Sequence, residues 1–332
     1  MKFGIFGSGS WGTALTKILT DNGHEVCWCM RSEKIAEHIR TRHHNPKYLS
    51  SVYFNLDTLL LTTSPEEVYN QSDIILFATP SAYTIEYIHP FKDHLQNKKI
   101  ISAVKGILPE NNGLMNVYLK SITEFDENSY TTIMGPCHAE EVAAEKLSYL
   151  TFSSSNKLLA VEMANCFKTD YINTVISTDI TGAQYASVLK NIYALGSGIL
   201  HGLGYGDNFQ SVFVSNAAAE MQHFLSSLSS NIRAADAINY NSSVYLGDLL
   251  VTCYSLFSRN RTFGNLIGKG YSVEATKLSM QMVAEGYPSS RAIHELAKEF
   301  NISMPIAESI HRILWEGKEP KTEFKQIEKN IF

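Results

Sequence analysis

KFGIFGSGSWGTAL, residues 2 to 15, is the stretch whose reading decides the fold. The apolar run Phe3 to Phe6 has the length of a buried strand and stops at a glycine. Gly7, Gly9 and Gly12 follow at the G-x-G-x-x-G spacing, and Ala14, Leu15, Ile18 and Leu19 then recur at helical spacing. Each glycine has its own task. Gly7 permits a tight strand-to-helix turn, Gly9 lets backbone approach a pyrophosphate, and Gly12 lets the helix lie close to the strand. The first turn of that helix offers unpaired N–H groups and the positive end of its dipole to phosphate. The glycine spacing alone also occurs in turns that bind nothing. The strand before it and the helix after it make it a dinucleotide site.

Working outward, Asn22-Gly23 ends the helix and Glu25 to Met30 forms a second strand. NAD-selective sites place an acidic residue after that strand, whereas here it runs into Arg31-Ser32. A cation beside a hydroxyl suits a 2′-phosphate, so NADP is accommodated. The alternative is that Arg31 only solvates a strand end. The segment Arg40 to Lys47 reads as a polar loop. Its adjacent His43 and His44 do not converge on a point and have no carboxylate cluster, so no metal is expected. Further strands are expected at Asp73 to Thr79, Lys99 to Ala103, Thr131 to Met134, Leu147 to Ser153 and Tyr171 to Val175. In a doubly wound sheet, ligands sit outside the carboxyl ends of the strands. Pro80, Ser81, Lys105 and the turn from Gly135 to Ala139 fall at such ends, and Glu140 and Glu141 follow near a helix start. Lys105 is therefore a candidate contact for substrate or nicotinamide, the alternative being an exposed lysine before a glycine turn.

Strand signals stop near Ser177-Thr178-Asp179. The chain thus divides into an α/β, Rossmann-like doubly wound sheet over residues 1–176 and an all-α domain over 177–332. From Ile180 onward, apolar and small residues recur every three to four positions, as in an amphipathic helix against which something packs closely. Lys190 lies within this run. Such a lysine is either a surface residue with a buried stem or a buried group that exchanges a proton near neutral pH. A glycine-rich turn, Gly202 to Gly206, separates it from a helix capped by Asp207-Asn208. Later, Ser258-Arg259-Asn260-Arg261 places two arginines, a hydroxyl and an amide within four residues. The guanidinium fork suits phosphate, although a helix cap or an ion pair would use the same residues. Asp248 either orients an ammonium or caps a helix. The tail reads as helical to Trp315, with Met304-Pro305 at a helix start.

The totals restrict the function. Among 332 residues, 44% are hydrophobic and 18% charged, an ordinary globular composition. A net charge of −5 argues against nucleic acid as a partner. The five cysteines include no C-x-x-C pair, so neither a disulfide framework nor a zinc ribbon is indicated. Cys27 and Cys29 share a strand and read as small core residues. No apolar run reaches the ~20 residues of a membrane span, and glycines interrupt any signal-like run after Phe6. A cytoplasmic protein is expected. Together the residues indicate a nicotinamide-dependent oxidoreductase acting on a small anion, with Lys190 and Lys105 as the groups that handle protons. A dinucleotide-sensing regulator without turnover is the alternative of a different class. It would need the glycine turn but not the lysines or arginines.

At this point the motifs resemble one family, the bacterial-type NAD(P)-dependent glycerol-3-phosphate dehydrogenases. The resemblance is carried by GSGSWGTAL (7–15), VKG (104–106), GPCHAEEVA (135–143), LKN (189–191), GLGYGDN (202–208), GDLLVTC (247–253), SRNRTFG (258–264), EGYPSS (285–290) and MPI (304–306). It runs in order over nearly the whole chain, and SRNRTFG is far more specific than the glycine turn. It implies reversible reduction of dihydroxyacetone phosphate to sn-glycerol 3-phosphate with NAD or NADP, for phospholipid synthesis. It implies a helical domain like the C-terminal domain of 6-phosphogluconate dehydrogenases. Lys190 would be the proton acceptor or donor, with Lys105 also flanking the carbonyl. Substrate contacts would come from Lys105, Gly135, Cys137, Lys190, Asp248, Ser258, Arg259 and Asn260. Cofactor contacts would come from Gly7, Gly9, Ser10, Trp11, Gly12, Arg31, Lys105, Ala139, Arg259, Val283 and Glu285. Many members carry Ser-Phe where this chain has Cys137-His138, so the contact there would be a thiol or only a backbone N–H. A homodimer is compatible with the sequence, and nothing in it requires one.

Overall fold

A computed structural model of the chain describes residues 1–110, 112–229, 238–280 and 284–330. The chain forms two compact units, Met1–Ala183 and Gln184–Phe332. The boundary falls inside a helix, a few residues beyond the point where strand signals end. Among the described residues, no helix is long and apolar enough to cross a membrane.

The first unit is built on strands β1 (Lys2–Phe6), β2 (Glu25–Cys29), β3 (Leu59–Thr62), β4 (Ile74–Phe77), β5 (Lys99–Ser102), β6 (Tyr130–Met134), β7 (Ser148–Ser153) and β8 (Ile172–Ser177). They form one sheet in the order β3-β2-β1-β4-β5-β6-β7-β8. Its helices are α1 (Ser10–Asp21), α2 (Glu33–Arg42), α3 (Pro65–Gln71), α4 (Ser81–Ile88), α5 (Lys92–Leu95), α6 (Met115–Ile122), α7 (Ala139–Ala143) and α8 (Lys157–Phe167). From β3 to β6 all neighbours are parallel. The chain leaves β1 toward β2 on one side and returns to β4 on the other, so the winding reverses between β1 and β4. Ligands bind at the carboxyl ends of the strands flanking such a reversal. The pair β6–β7 is antiparallel and β7–β8 parallel, so the last two strands run against the rest. Their carboxyl ends therefore do not belong to the edge that carries the site.

Side-chain alternation along the strands supplies both faces of the core. Phe3, Ile5, Val26, Trp28, Ile74 and Leu76 enter one buried cluster with Leu15 and Ile18 of α1. Phe6, Cys27, Cys29, Ile75 and Phe77 enter another. Cys27 and Cys29 thus share a face, and burial pushes both thiols up to about 12. They are inert core residues. Strand β3 does not stand out in the sequence, because only four residues pair and a short 3-10 turn, Leu56–Thr58, precedes them.

The second unit is helical, with α9 (Ile180–Gly202) running into it from the boundary. It continues with α10 (Asp207–Ser229), α11 (Asp248–Tyr254), α12 (Arg259–Gly268), α13 (Val273–Ser279), α14 (Gly286–Glu299), α15 (Pro305–Trp315) and α16 (Pro320–Asn330). The sequence suggests an amphipathic α9. In fact every residue from Ala186 to Leu200 is buried, because helices pack on all its sides. The small residues are where they do so. A Cβ on Gly196 would lie 2.6 Å from Phe213 and 2.7 Å from Ile310. The crossing of α9 with α12 is closer still, since Gly198 and Gly202 face Gly264 and Gly268. A Cβ on Gly264 would lie 2.0 Å from the Leu195 carbonyl oxygen, and one on Gly198 would lie 2.1 Å from that of Arg261. α16 lies beyond the helical stretch anticipated from the sequence.

Candidate active site

The glycine turn after β1 is shaped by backbone contacts. Gly7 has φ +116°, and a side chain there would meet the Ala78 backbone at 2.6 Å. A Cβ on Gly12 would lie 1.9 Å from the Gly7 carbonyl oxygen, so α1 lies directly against the turn. A Cβ on Gly9, by contrast, would meet nothing within 4 Å. No side chain caps the start of α1 and no acidic residue occupies its first turn. The arrangement leaves open space in front of a positive helix end, which suits a pyrophosphate.

Three carbonyls of this turn are held by the protein. Gly7 O accepts from the indole Nε1 of the fully buried Trp28 at 3.0 Å. Ser8 O accepts from Asn45 Nδ2 at 3.2 Å. Gly9 O accepts from Thr13 N and Thr13 Oγ1, both at 2.9 Å. Nothing in the sequence sets Asn45 apart within its polar loop. Beside the turn, the half-buried Lys105 ammonium lies 4.8 Å from the ring centroid of Trp11. Lys105 follows β5, two strands from β1 on the same edge. Arg31 is exposed after β2, its guanidinium 6.0 Å from the Tyr83 ring. Ser10 opens α1. Gly135 follows β6 at φ +127°, Cys137 is buried within the core cluster, and Ala139 begins α7.

In the second unit Lys190 is buried on α9, its side chain 5% exposed, and its ammonium donates to Asp248 Oδ1. Asp248 begins α11 and is itself 1% exposed. Its other oxygen, Oδ2, is buried and accepts no hydrogen bond from the described residues. Of the two roles the sequence leaves open, Asp248 orients the ammonium and does not cap the helix, since Oδ1 is taken by Lys190, Oδ2 accepts from no backbone N–H and the helical turn Ser243–Gly247 runs straight into it. Ser258 caps α12 by accepting from Arg261 N at 3.3 Å. Arg259, the first residue of α12, is exposed. The buried Asn260 amide is occupied within the protein, donating to Asn191 Oδ1 and accepting from Gly286 N, each at 2.9 Å. It ties α12 to α9 and α14, so Asn191 joins the residues that shape this region. Arg261 Nε is buried without an acceptor among the described residues. Burial pushes the Cys253 thiol up to about 12, against the pull of the Lys190 and Arg261 charges. Glu285 is half-buried immediately before α14. Val283 lies outside the described residues.

Comparison with known proteins decides the family. The pattern of the NAD-dependent glycerol-3-phosphate dehydrogenase N-terminus matches residues 2–160, and that of its C-terminus matches 179–325. The NAD(P)+ glycerol-3-phosphate dehydrogenase of Enterococcus faecalis is 33% identical over 329 residues, covering 98% of this chain and 95% of that protein.

This chain belongs to the glycerol-3-phosphate dehydrogenase family.

The Bacillus subtilis enzyme of the same name is 34% identical over 332 residues, covering 98% of this chain and 93% of that protein. A crystal structure of glycerol-3-phosphate dehydrogenase from Coxiella burnetii superposes with a TM-score of 0.89 at 25% identity, covering 98% of each chain. In this member of the family the motif that carries the resemblance most specifically, SRNRTFG, is also the one that builds the α9–α12 crossing, since it ends on Gly264. The signal that would find Asn191 in the sequence is its place next to Lys190. For Asn45 there is no comparable signal.

Proposed function

We propose that this chain catalyses the reversible, NAD(P)-dependent reduction of dihydroxyacetone phosphate to sn-glycerol 3-phosphate. Lys190 acts as the proton donor in reduction and the acceptor in oxidation. The observation that carries this reading is the buried Lys190–Asp248 pair with its unpartnered Oδ2. A buried ion pair is a poor stabilising device, because desolvating both ions offsets their attraction. A buried carboxylate oxygen without a donor costs still more. The arrangement makes sense if a substrate hydroxyl supplies the missing hydrogen bond and the ammonium delivers a proton to the adjacent oxygen.

The other residues follow. Gly7, Gly9, Ser10, Trp11 and Gly12 hold the pyrophosphate on the open side of the turn, with Arg31 toward the adenine ribose, where it accepts NADP as well as NAD. Ala139, Val283 and Glu285 complete the dinucleotide contacts. The bound nicotinamide supplies or takes the hydride. Lys105 places a positive charge where negative charge develops on the carbonyl oxygen. Arg259 and the α12 N-terminus bind the phosphate, Arg259 also touching the dinucleotide, and Ser258 holds the first turn in place. Gly135 and Cys137 contribute backbone, because the Cys137 side chain is packed in the core. Asn260 contributes mainly by setting α12. We assign the enzyme to the cytoplasm and leave the homodimer as compatible with these roles.

The test is direct. Purified protein is mixed with NADH or NADPH and dihydroxyacetone phosphate, and absorbance of the reduced nicotinamide is followed. Steady oxidation that depends on the phosphorylated ketone is expected. Dinucleotide binding without turnover would replace this reading with the regulatory one.

A further inference from the structure

Asn45 is the most completely engaged polar side chain near the glycine turn. It is fully buried, at 0% exposure. Its Nδ2 donates to Ser8 O at 3.2 Å and to Thr13 Oγ1 at 3.0 Å. Its Oδ1 accepts from Lys47 N at 3.0 Å and Tyr48 N at 3.3 Å. The orientation of the amide is fixed by these partners, since a carbonyl only accepts and a backbone N–H only donates. One side chain therefore joins the loop after α2 to the turn after β1 and to the first turn of α1.

We propose that Asn45 is a positioning residue for the dinucleotide: its amide clamps the central peptide of the glycine turn so that the Gly9 N–H faces the pyrophosphate. The reasoning is geometric. In a trans peptide the carbonyl and the following N–H point in opposite directions. Drawing Ser8 O inward turns the Gly9 N–H outward, at a residue on which a Cβ would meet nothing within 4 Å. Trp28 does the same for the peptide before, through Gly7 O, and Thr13 for the peptide after, through Gly9 O. Of the three clamps only Asn45 reaches from a different loop. It also fixes the backbone at Lys47 and Tyr48, so it sets two segments of the same sheet edge together. A glycine turn is intrinsically free to rotate its peptides, and ordering it in advance removes that cost from binding. Asn45 holds the turn in advance.

The proposal rests on the glycine turn being the dinucleotide site, and the experiment separates the two. Gly9→Val tests the site: there is room for the side chain, so the protein folds, but the valine occupies the open side of the turn. Asn45→Asp tests the clamp. Aspartate keeps the two bonds from Lys47 N and Tyr48 N and loses both donations, to Ser8 and Thr13. NADH binding is titrated by fluorescence in each full-length variant, with melting temperatures measured without ligand. Asn45→Asp is expected to raise the NADH Kd and KM roughly tenfold or more, the scale of one buried hydrogen bond. Its kcat at saturating NADH and its KM for dihydroxyacetone phosphate are expected to stay within about twofold of the parent. A merely structural role would lower the melting temperature without this split. If Gly9→Val binds NADH normally, the assigned site is wrong. If Gly9→Val loses NADH while Asn45→Asp keeps parental affinity, the site stands and the clamp is overturned. Should Asn45→Asp fail to fold, Asn45→Ser, whose hydroxyl still accepts from the following backbone N–H groups but is too short to reach Ser8 O, removes the clamp in its place. An unchanged NADH KM in that variant overturns the clamp equally.

Discussion

The glycine turn of the first unit and the lysine pocket of the second are made in opposite ways. The turn is backbone: three carbonyls tied inward, two glycines that admit no side chain, and an open face at Gly9. The pocket is side chains on helices: a buried ammonium, a buried carboxylate and an amide bridge, brought together by a glycine-to-glycine crossing. The glycines of a backbone site are specified within a few residues, although Trp28 and Asn45 reach its carbonyls from further along the chain. A side-chain site of this kind depends on residues such as Lys190, Asp248 and Asn260, which meet only after the helices pack. The difference predicts that damage to the pocket spares nucleotide binding, while damage to the turn removes it.

The largest effect expected is from Lys190→Ala, which removes the proposed proton donor. Turnover should fall by roughly 10²–10⁴-fold, the usual contribution of a positioned acid or base. NADH affinity should remain parental by fluorescence titration. Normal turnover would take Lys190 out of the mechanism, and loss of NADH binding would break the contrast between the two regions. Next comes Arg259→Ala, expected to raise KM for dihydroxyacetone phosphate on the order of 10–100-fold, the value of charge-assisted hydrogen bonds to a phosphate. Arg261→Ala should raise it less. A reversed ranking would move the phosphate toward the buried Arg261 Nε.

Gly264→Val attacks the crossing rather than the chemistry. Its Cβ would sit 2.0 Å from the Leu195 carbonyl oxygen, so α12 must shift away from α9. Overpacking of this kind costs about 1–3 kcal/mol, read as a lower urea midpoint. A lower kcat with unchanged NADH affinity is expected alongside. Parental stability and kcat would show that the close crossing is dispensable.

The last effect concerns pH. Glu220 of α10 accepts from Ile306 N at 2.7 Å, Ala307 N at 2.9 Å and Tyr193 Oη at 3.1 Å, which anchors α15 and the α9 turn after Lys190. Burial nevertheless pushes its carboxyl up to about 7 from an ordinary 4.5. A raised native value means that the folded state holds the proton more tightly. This stabilisation is complete below about 4.5, is lost as pH rises to about 7, and stays lost above. The unfolding free energy from urea titrations should fall across that window, by up to about 3 kcal/mol, and Glu220→Gln should flatten the slope. An unaltered slope in the variant would assign the pH dependence to other groups.

Much of the fold was readable because the decisive signals are local. The run from Phe3 through Leu19 carries a strand, a turn and a helix in one continuous stretch. Seven of the eight strands are marked by apolar runs, whereas β3 is a four-residue strand whose partner, β2, precedes it by some thirty residues. The reversal of β7 and β8 was not legible, because strand direction is set by connections and not by composition. In the pocket, Lys190 and Asp248 were visible as candidates, but not their ion pair or the orphaned Oδ2, which exist only after α9 and α11 pack. Lys190 itself illustrates the limit: a lysine among apolar residues reads equally well as surface or core until its neighbours are known. Asn45 reads only as loop polarity in the sequence because its four partners are scattered from Ser8 to Tyr48.

The buried cysteines give the molecule an internal stopwatch. All five cysteines are buried and outside any disulfide, with Cys27 and Cys29 in the sheet and Cys253 fully enclosed on α11. A thiol held up to about 12 and shut away from solvent reacts with an alkylating reagent only when its surroundings open. Because sheet and helices carry separate thiols, mass spectrometry of the labelled peptides times the opening of each unit within one unmodified chain.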